Sequence, residues 1–504
     1  MGAGEAVFAG PPPRHDRIMP SRDHLREERT LNIRLLIGLM LSLLATAGGD
    51  ADPPSLLSRL AWLGGILAVM AAGGLAMRSR LAAKARRGDP LESLVRWHGR
   101  AASLYQLLWL ACYAALLFLG RWPAVTRALW PTDLWLVDRA LVLLPMLLIV
   151  LAAAWGSFIS AGVLRRALAA QGVPQPDGRS SFSAYLVFQI RQQLLILLVP
   201  FVVVLGTRDV AWLITGRWIG DLADLTILAA VLAVFVLSPV MLRLIWPTEP
   251  LPEGPLRSRL TEVAARAGTG VSDILLWRTG GFMANACMAG PLPAVRYVFL
   301  SDNLAQRFHP AQVEAVFGHE LAHARFRHIP FFLLVALGGA VAVTLLRPLM
   351  QAVGLGGDVP LIAVFVLYWG GFFGVLSRRF ERQSDLLGAR LVTCPGRVDP
   401  TACTVHQPDR SGDPDAICPF QAWAFTSALA QIAALNGTAV NAARWRHGSI
   451  AGRIAFVSRM VGRPDEVRRY DRGLRRFKLI FLAGVLALVV LTAVAAGAGW
   501  IDLG

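Results

Sequence analysis

Residues 318–328 read GHELAHARFRH, and three of them have the types and spacing for hydrolytic chemistry. His319 and His323 are four apart. On an α-helix that separation turns the side chain through only about 40°, so both imidazoles leave one face, one turn apart, and can share a metal ion. Glu320 lies off that axis, where a carboxylate reaches a water beside the metal more readily than the metal itself, which is the place of a general base. The preceding HPAQVEAVF has Pro310 where a first helical turn tolerates proline, and Val313, Val316, Phe317, Leu321 and Ala324 recur at helical spacing. The motif is therefore expected on a helix. The competing reading is a surface helix that happens to carry imidazoles.

Two histidines leave a catalytic zinc short, because such sites have three protein ligands and one open position. His328 is five residues beyond His323, about 140° round the helix, so it is expected to cap the helix end or point to solvent. The better third ligand is Glu381 in SRRFERQSDLLGARL, with Asp385 one turn on and placed to accept a hydrogen bond from a ligand imidazole. The apolar runs 330–346 and 361–376 form an antiparallel hairpin, which returns the chain after Leu376 to the membrane face it left near Pro330. Against this, Arg378, Arg379 and Arg382 surround Glu381 as they would on an ordinary solvated helix.

The elements that must position these groups are largely membrane spans. Of 504 residues, 55% are hydrophobic, and the mean hydropathy is +0.52, outside the range of ordinary soluble proteins. Apolar runs at 35–49, 60–77, 102–120, 140–161, 185–206, 222–246, 330–346, 361–376 and 479–498 give nine expected spans. The first thirty-four residues are Arg-rich and polar, with no apolar stretch leading to a cleavage site, so the first run is expected to remain as an anchor. The net charge of +17 is not arranged for nucleic acid. Arg14, Arg17, Arg22, Arg26, Arg29 and Arg34 precede the first run and Arg78, Arg80, Lys84, Arg86, Arg87, Arg96 and Arg100 follow the second, while the loop between them, GDADPPS, is acidic. This positive-inside pattern puts the zinc helix at the cytoplasmic face, against the lipid bilayer and its anionic headgroups. Arginine far outnumbers lysine, a composition of GC-rich bacterial genomes, hence an inner membrane.

The resulting segments are a cytoplasmic N-terminus at 1–34, a membrane domain of about six spans at 35–246, a first catalytic segment at 247–329, a transmembrane hairpin at 330–377, a second catalytic segment at 378–477 and a last span at 478–504. The runs DILLWRT and AVRYVFLSD read as strands of a small sheet whose edge could pair with an extended substrate. Arg191 near the start of the fifth run either faces a watery cavity or precedes the span. Cys394, Cys403 and Cys418 accompany His406 in a Pro- and Asp-rich segment; a Cys₃His zinc set is one reading, but there is no close CxxC pair, and free thiols are the simpler expectation. Cys112 and Cys287 read as small buried apolar residues.

HELAH paired with SRRFERQSD resembles the integral-membrane gluzincin peptidases, which include the type-I CAAX prenyl proteases and the HtpX heat-shock proteases. The resemblance implies one Zn²⁺ per chain on His319, His323 and Glu381, with Glu320 as the catalytic base. NACMAG and YVFLSDNL are similar to a segment whose Asn–Ala pair lies beside substrate, which implies substrate binding by Asn285 and Ala286. HGSIAGRI is similar to a His-Pro-Pro block followed by an arginine, which implies catalytic contacts from His447 and Arg453, although Gly448 and Ser449 replace the prolines. The resemblance covers residues 245–480. The fold it implies is mainly α: a polytopic α-helical membrane protein with a small α+β, zincin-like catalytic unit. The function it implies is a zinc endopeptidase acting on polypeptides, in membrane-protein quality control or processing. The alternatives are a membrane sensor with a metallopeptidase-like domain and an inactive scaffold or transporter.

Overall fold

The computed structural model describes residues 34–42, 45, 54–130, 134–170, 181–215, 220–280, 283–352, 364, 367–397, 399, 401, 403, 405–406, 413–436, 440–441 and 444–497. Its N-terminal half is helical because apolar segments in lipid must satisfy every backbone polar group internally. The helices are α1 (Leu56–Arg86), α2 (Leu91–Phe118), α3 (Trp122–Leu129), α4 (Trp135–Ala170), α5 (Phe182–Gln189), α6 (Leu195–Thr215) and α7 (Gly220–Ile245). Among the described residues six helices are long and apolar enough to cross a bilayer; five lie in this half and the sixth is Pro464–Val494. Leu57, Ile214, Leu244 and Ile480 are 73–79% exposed, which suits hydrocarbon rather than water. The six match the expected runs 60–77, 102–120, 140–161, 185–206, 222–246 and 479–498. The runs 35–49 and 361–376 lie partly outside the described residues, and 330–346 falls in a helix whose apolar part, His328–Gly339, is shorter.

Within the bundle α1 and α4 approach closely at two glycines: a Cβ on Gly74 would stand 2.5 Å from the Gly156 Cα. The Tyr105 hydroxyl donates to the Met70 carbonyl at 2.7 Å, and Trp109, Tyr113, Leu116 and Ile149 fill the interior. Arg191 sits in a π-helical turn, Ile190–Leu194, that joins α5 to α6. Its Nε donates to the Ile245 carbonyl at 2.9 Å, so the cation caps the end of α7.

The chain then builds β1 (Thr248–Pro250), α8 (Pro255–Ala267), β2 (Asp273–Trp277), β3 (Ala286–Ala289), β4 (Tyr297–Ser301), α9 (Asp302–Arg307) and α10 (Pro310–Arg325). The sheet order is β1-β2-β4-β3, with β2 and β4 parallel and the outer pairs antiparallel. The central strands are almost wholly buried, as an inner parallel pair covered on both faces must be. One face meets α8, α9 and α10 through Leu260, Val263, Val298, Leu300, Val316 and Phe317. The other meets the end of α7, where Trp246 stacks on Trp277 at 4.1 Å. β3 is left as an edge.

After α10 come α11 (His328–Ala352), α12 (Gly374–Leu391), α13 (Pro419–Leu435), α14 (Ile450–Arg459) and α15 (Pro464–Gly497). Ala311 and Ala315 of α10 share a core with Leu386 and Ala389 of α12, Phe425 of α13 and Val457 of α14. The HELAH helix is thus enclosed between the sheet and three helices. Sequence reasoning found β2 and β4 but not β1 and β3, each of which has only three or four residues.

Candidate active site

The first turn of α10 is built by His309 and Gln312. The His309 ring accepts from the Ala311 N–H at 3.2 Å and the Gln312 side chain accepts from the His309 N–H at 2.9 Å, a capping box ahead of Pro310. Two turns later the helix meets α12 at glycines. A Cβ on Gly388 would lie 2.7 Å from the Ala315 carbonyl oxygen and 2.9 Å from the His319 nitrogen, so only glycine lets the backbones come this close. Glu314 ties the crossing from the other side: it is fully buried, pairs with Arg259 at 2.5 Å and accepts from the Thr393 N–H at 2.7 Å.

This crossing delivers Glu381 to the histidines. Glu381 Oε2 is 3.6 Å from His319 Nε2, and Oε1 is 3.8 Å from His323 Nε2. Glu381 and Asp385 are 3% and 0% exposed, so the solvated charged helix is excluded. One donor atom from each of His319, His323 and Glu381 lies within 4.8 Å of the others. Tetrahedral ligands about 2.1 Å from a zinc are separated by about 3.4 Å, close to what is found. Glu381 Oε2 is buried without a well-directed hydrogen bond, although His447 Nδ1 stands 2.9 Å away. An anionic oxygen so placed, facing two imidazole nitrogens, fits a divalent cation.

Each ligand imidazole is held from behind. His319 Nδ1 is 2.9 Å from Asp385 Oδ1, so it carries the proton and leaves Nε2 free toward Glu381. Arg453 grips the same carboxylate, Nε to Oδ2 at 2.9 Å and Nη2 to Oδ1 at 2.5 Å, with Nη1 3.6 Å from Glu381 Oε2. Arg453 therefore braces both carboxylates. His328 departs from expectation: rather than capping or meeting solvent it is completely buried, stacked on Phe380 at 4.2 Å. Its Nδ1 lies 3.2 Å from His323 Nδ1 and its Nε2 lies 3.0 Å from Gln383 Oε1. Gln383 donates from Nε2 to Asp471 on α15, so its Oε1 must accept from His328. His328 Nδ1 is then the acceptor, His323 Nδ1 the donor, and His323 Nε2 keeps its lone pair for a metal. Sequence reasoning missed Gln383, Asp471 and Gly388, because nothing in their local spacing marks them.

Burial drives the His323 imidazole down to about 3, hence neutral and ready to ligate. Burial also opposes charge on His319, but the Asp385 carboxylate outweighs it and raises that pKa. For Glu381 burial is overcome by His447 and Arg453, which hold the carboxyl well below its usual range. Burial lifts Glu320 up to about 7, against the pull of His319 and the Met288 N–H.

Glu320 accepts from that Met288 N–H at 3.0 Å, which places the edge strand β3 beside this carboxylate. Asn285 and Ala286 stand just before Met288; the Asn285 N–H donates to Ser301 Oγ at 2.9 Å and Ala286 pairs with Leu300. Asn436, at the end of α13, clamps the approach to this strand through both the N–H and the carbonyl of Ala284, at 2.9 and 2.8 Å. Cys287 and Cys112 are half-buried rather than core residues. The structure thus gathers His319, Glu320, His323, Glu381, Asp385, His447 and Arg453, with His447 exposed at the rim.

Residues 250–460 match peptidase family M48. Protease HtpX homologs are similar to this chain: that of Methanocaldococcus jannaschii is 26% identical over 152 residues, 30% of this chain and 46% of the relative. That of Moorella thermoacetica is 29% identical over 202 residues, 37% and 66%, and that of Aeropyrum pernix is 28% identical over 228 residues, 41% and 70%. The chain spans less than half the length of the first and about two thirds of the others. Among solved structures, S. mikatae Ste24p superposes with a TM-score of 0.50 at 14% identity, covering 78% of this chain and 98% of that one, a likeness of fold. The metal-ready donor set lies inside the segment that matches peptidase family M48, and apolar helices stand on both sides of it, so this M48-like segment is carried by a multi-pass membrane protein.

Proposed function

We propose that this chain is a zinc-dependent membrane endopeptidase that hydrolyses peptide bonds of polypeptides at the cytoplasmic face of the inner membrane. The observation that carries the proposal is the convergence of His319, His323 and Glu381 with Glu320 alongside an edge strand. The arginine-rich segments flanking the first runs support the orientation. The catalytic unit comprises 247–329 and 378–477, joined by the hairpin 330–377.

His319, His323 and Glu381 would hold the zinc, which when bound would supply Lewis acidity to polarise the scissile carbonyl and acidify water. Glu320 takes the proton from the attacking water and passes it to the departing amine; a carboxyl lifted by burial is suited to both transfers. Asp385 keeps His319 in the Nε2-free tautomer. Arg453 screens Asp385 and Glu381 from one another and holds their geometry, while His447 at the rim is placed to meet substrate or the developing oxyanion. An extended polypeptide lies along β3 near Asn285 and Ala286, paired through backbone groups.

The test is digestion of an unfolded polypeptide such as casein by detergent-purified protein. Glu320→Gln is expected to keep its zinc and to lose about 10²–10⁴-fold in turnover, the share of general-base help. Wild-type turnover in that variant would rule out the assigned base, and no zinc-dependent cleavage by the wild type would leave an inactive scaffold.

A further inference from the structure

A second group of metal-binding side chains lies outside the active site. Cys394 follows the end of α12, Cys418 is the N-cap of α13, and Cys403 and His406 lie in the segment between them. All four are buried, and one donor atom from each lies within 4.8 Å of the others. The Cys394 and Cys418 sulfurs are 3.6 Å apart, and Cys403 Sγ is 3.9 Å from His406 Nδ1. A disulfide needs about 2.0 Å, and all three cysteines are free. A tetrahedral zinc with Zn–S of about 2.3 Å and Zn–N of about 2.0–2.1 Å sets its S–S edges near 3.8 Å and its S–N edges near 3.6 Å, the separations seen.

Two further features belong to a ligand shell rather than to a patch of apolar thiols. The Val405 N–H donates to Cys403 Sγ at 3.4 Å, a contact that favours thiolate over thiol. The turn after Cys394 is drawn tight around the group: a Cβ on Gly396 would stand 2.4 Å from the Cys403 Cβ and 2.4 Å from the His406 carbonyl oxygen. The close pair that the sequence lacks as CxxC is present as Cys403-x-x-His406.

We propose that Cys394, Cys403, His406 and Cys418 bind a second zinc, a structural ion that ties the end of α12 to the start of α13. Four protein ligands complete its tetrahedral shell and leave no position for substrate. Its effect reaches the active site through α12, which carries Glu381 and Asp385, and through α13, which packs on α10. The chain then holds two zinc ions rather than the one expected from sequence.

Metal counting on the detergent-purified full chain tests this. Wild type is expected to carry two zinc per chain, and His323→Ala and Cys403→Ala one each. After replacement of zinc by cobalt, wild type and His323→Ala are expected to show the near-ultraviolet thiolate-to-cobalt charge-transfer band, which a His₂Glu site cannot give, and Cys403→Ala to lack it. Should Cys403→Ala fail to fold, the band in the two intact-cysteine proteins still decides. One zinc per wild-type chain with no thiolate band, or a Cys394–Cys418 disulfide found by mass spectrometry after alkylation, would overturn the proposal.

Discussion

The two candidate metal-binding groups both draw on α12, one from its middle and one from just beyond its end, and are built on opposite principles. His319, His323 and Glu381 supply three donors, with Glu320 and the rim residue His447 beside them, and reach outward to the edge strand β3. Cys394, Cys403, His406 and Cys418 supply four, all buried. Three ligands and an open side allow substrate to approach, whereas four close the shell. The supporting contacts differ in the same way. Behind the histidines are charged chains, Arg453 to Asp385 to His319 and Asp471 to Gln383 to His328 to His323, whereas the cysteine group is met by the Val405 N–H and the tight turn at Gly396. Tuning is concentrated where chemistry is expected.

Substitutions behind the histidines should separate the two groups, sparing the cysteine ion throughout. Gly388→Ala is the severest: its Cβ would meet backbone of α10, so the helices must part. We expect a loss of about 1–3 kcal/mol in stability, read as a lower Tm, and the departure of the active-site metal alone. Asp385→Asn removes the charge that orients His319, and metal affinity at that site should fall about 10–100-fold by competition with a chelator. His328→Phe preserves the stack on Phe380 and removes the acceptor for His323, so a loss of about tenfold, at the lower end of that range, is expected. Unchanged affinity in the last variant would mean that His323 needs no partner on Nδ1.

The sequence disclosed the candidate site groups because their geometry is local. His319 and His323 share a face by helical spacing, and Asp385 follows Glu381 by one turn. Even the pairing of the two helices could be inferred, from the hairpin expected between them. The rest depends on contacts between distant segments. Gly388 matters only because α10 crosses α12 there, and Asn436 only because it reaches back 152 residues to Ala284. His328 was set apart by an angle on a continuous helix, but α10 ends at Arg325 and His328 opens α11; its burial comes from Phe380 and Gln383, which no helical wheel contains. The cysteine group was visible as a Cys₃His set but ranked below free thiols because of its uneven spacing, which closes only when α12 and α13 are brought together. In the membrane half, composition sufficed for the five long helices, as it did for the C-terminal one, and the Gly74–Gly156 contact did not show at all.

The most direct test is anomalous X-ray diffraction from crystals of the metal-loaded protein, recorded on both sides of the zinc absorption edge. A peak is expected about 2.0–2.2 Å from His319 Nε2, His323 Nε2 and a Glu381 oxygen. No peak there in fully loaded protein, or a Glu381 side chain turned away from both imidazoles, would contradict the metal centre on which the proposed hydrolysis depends.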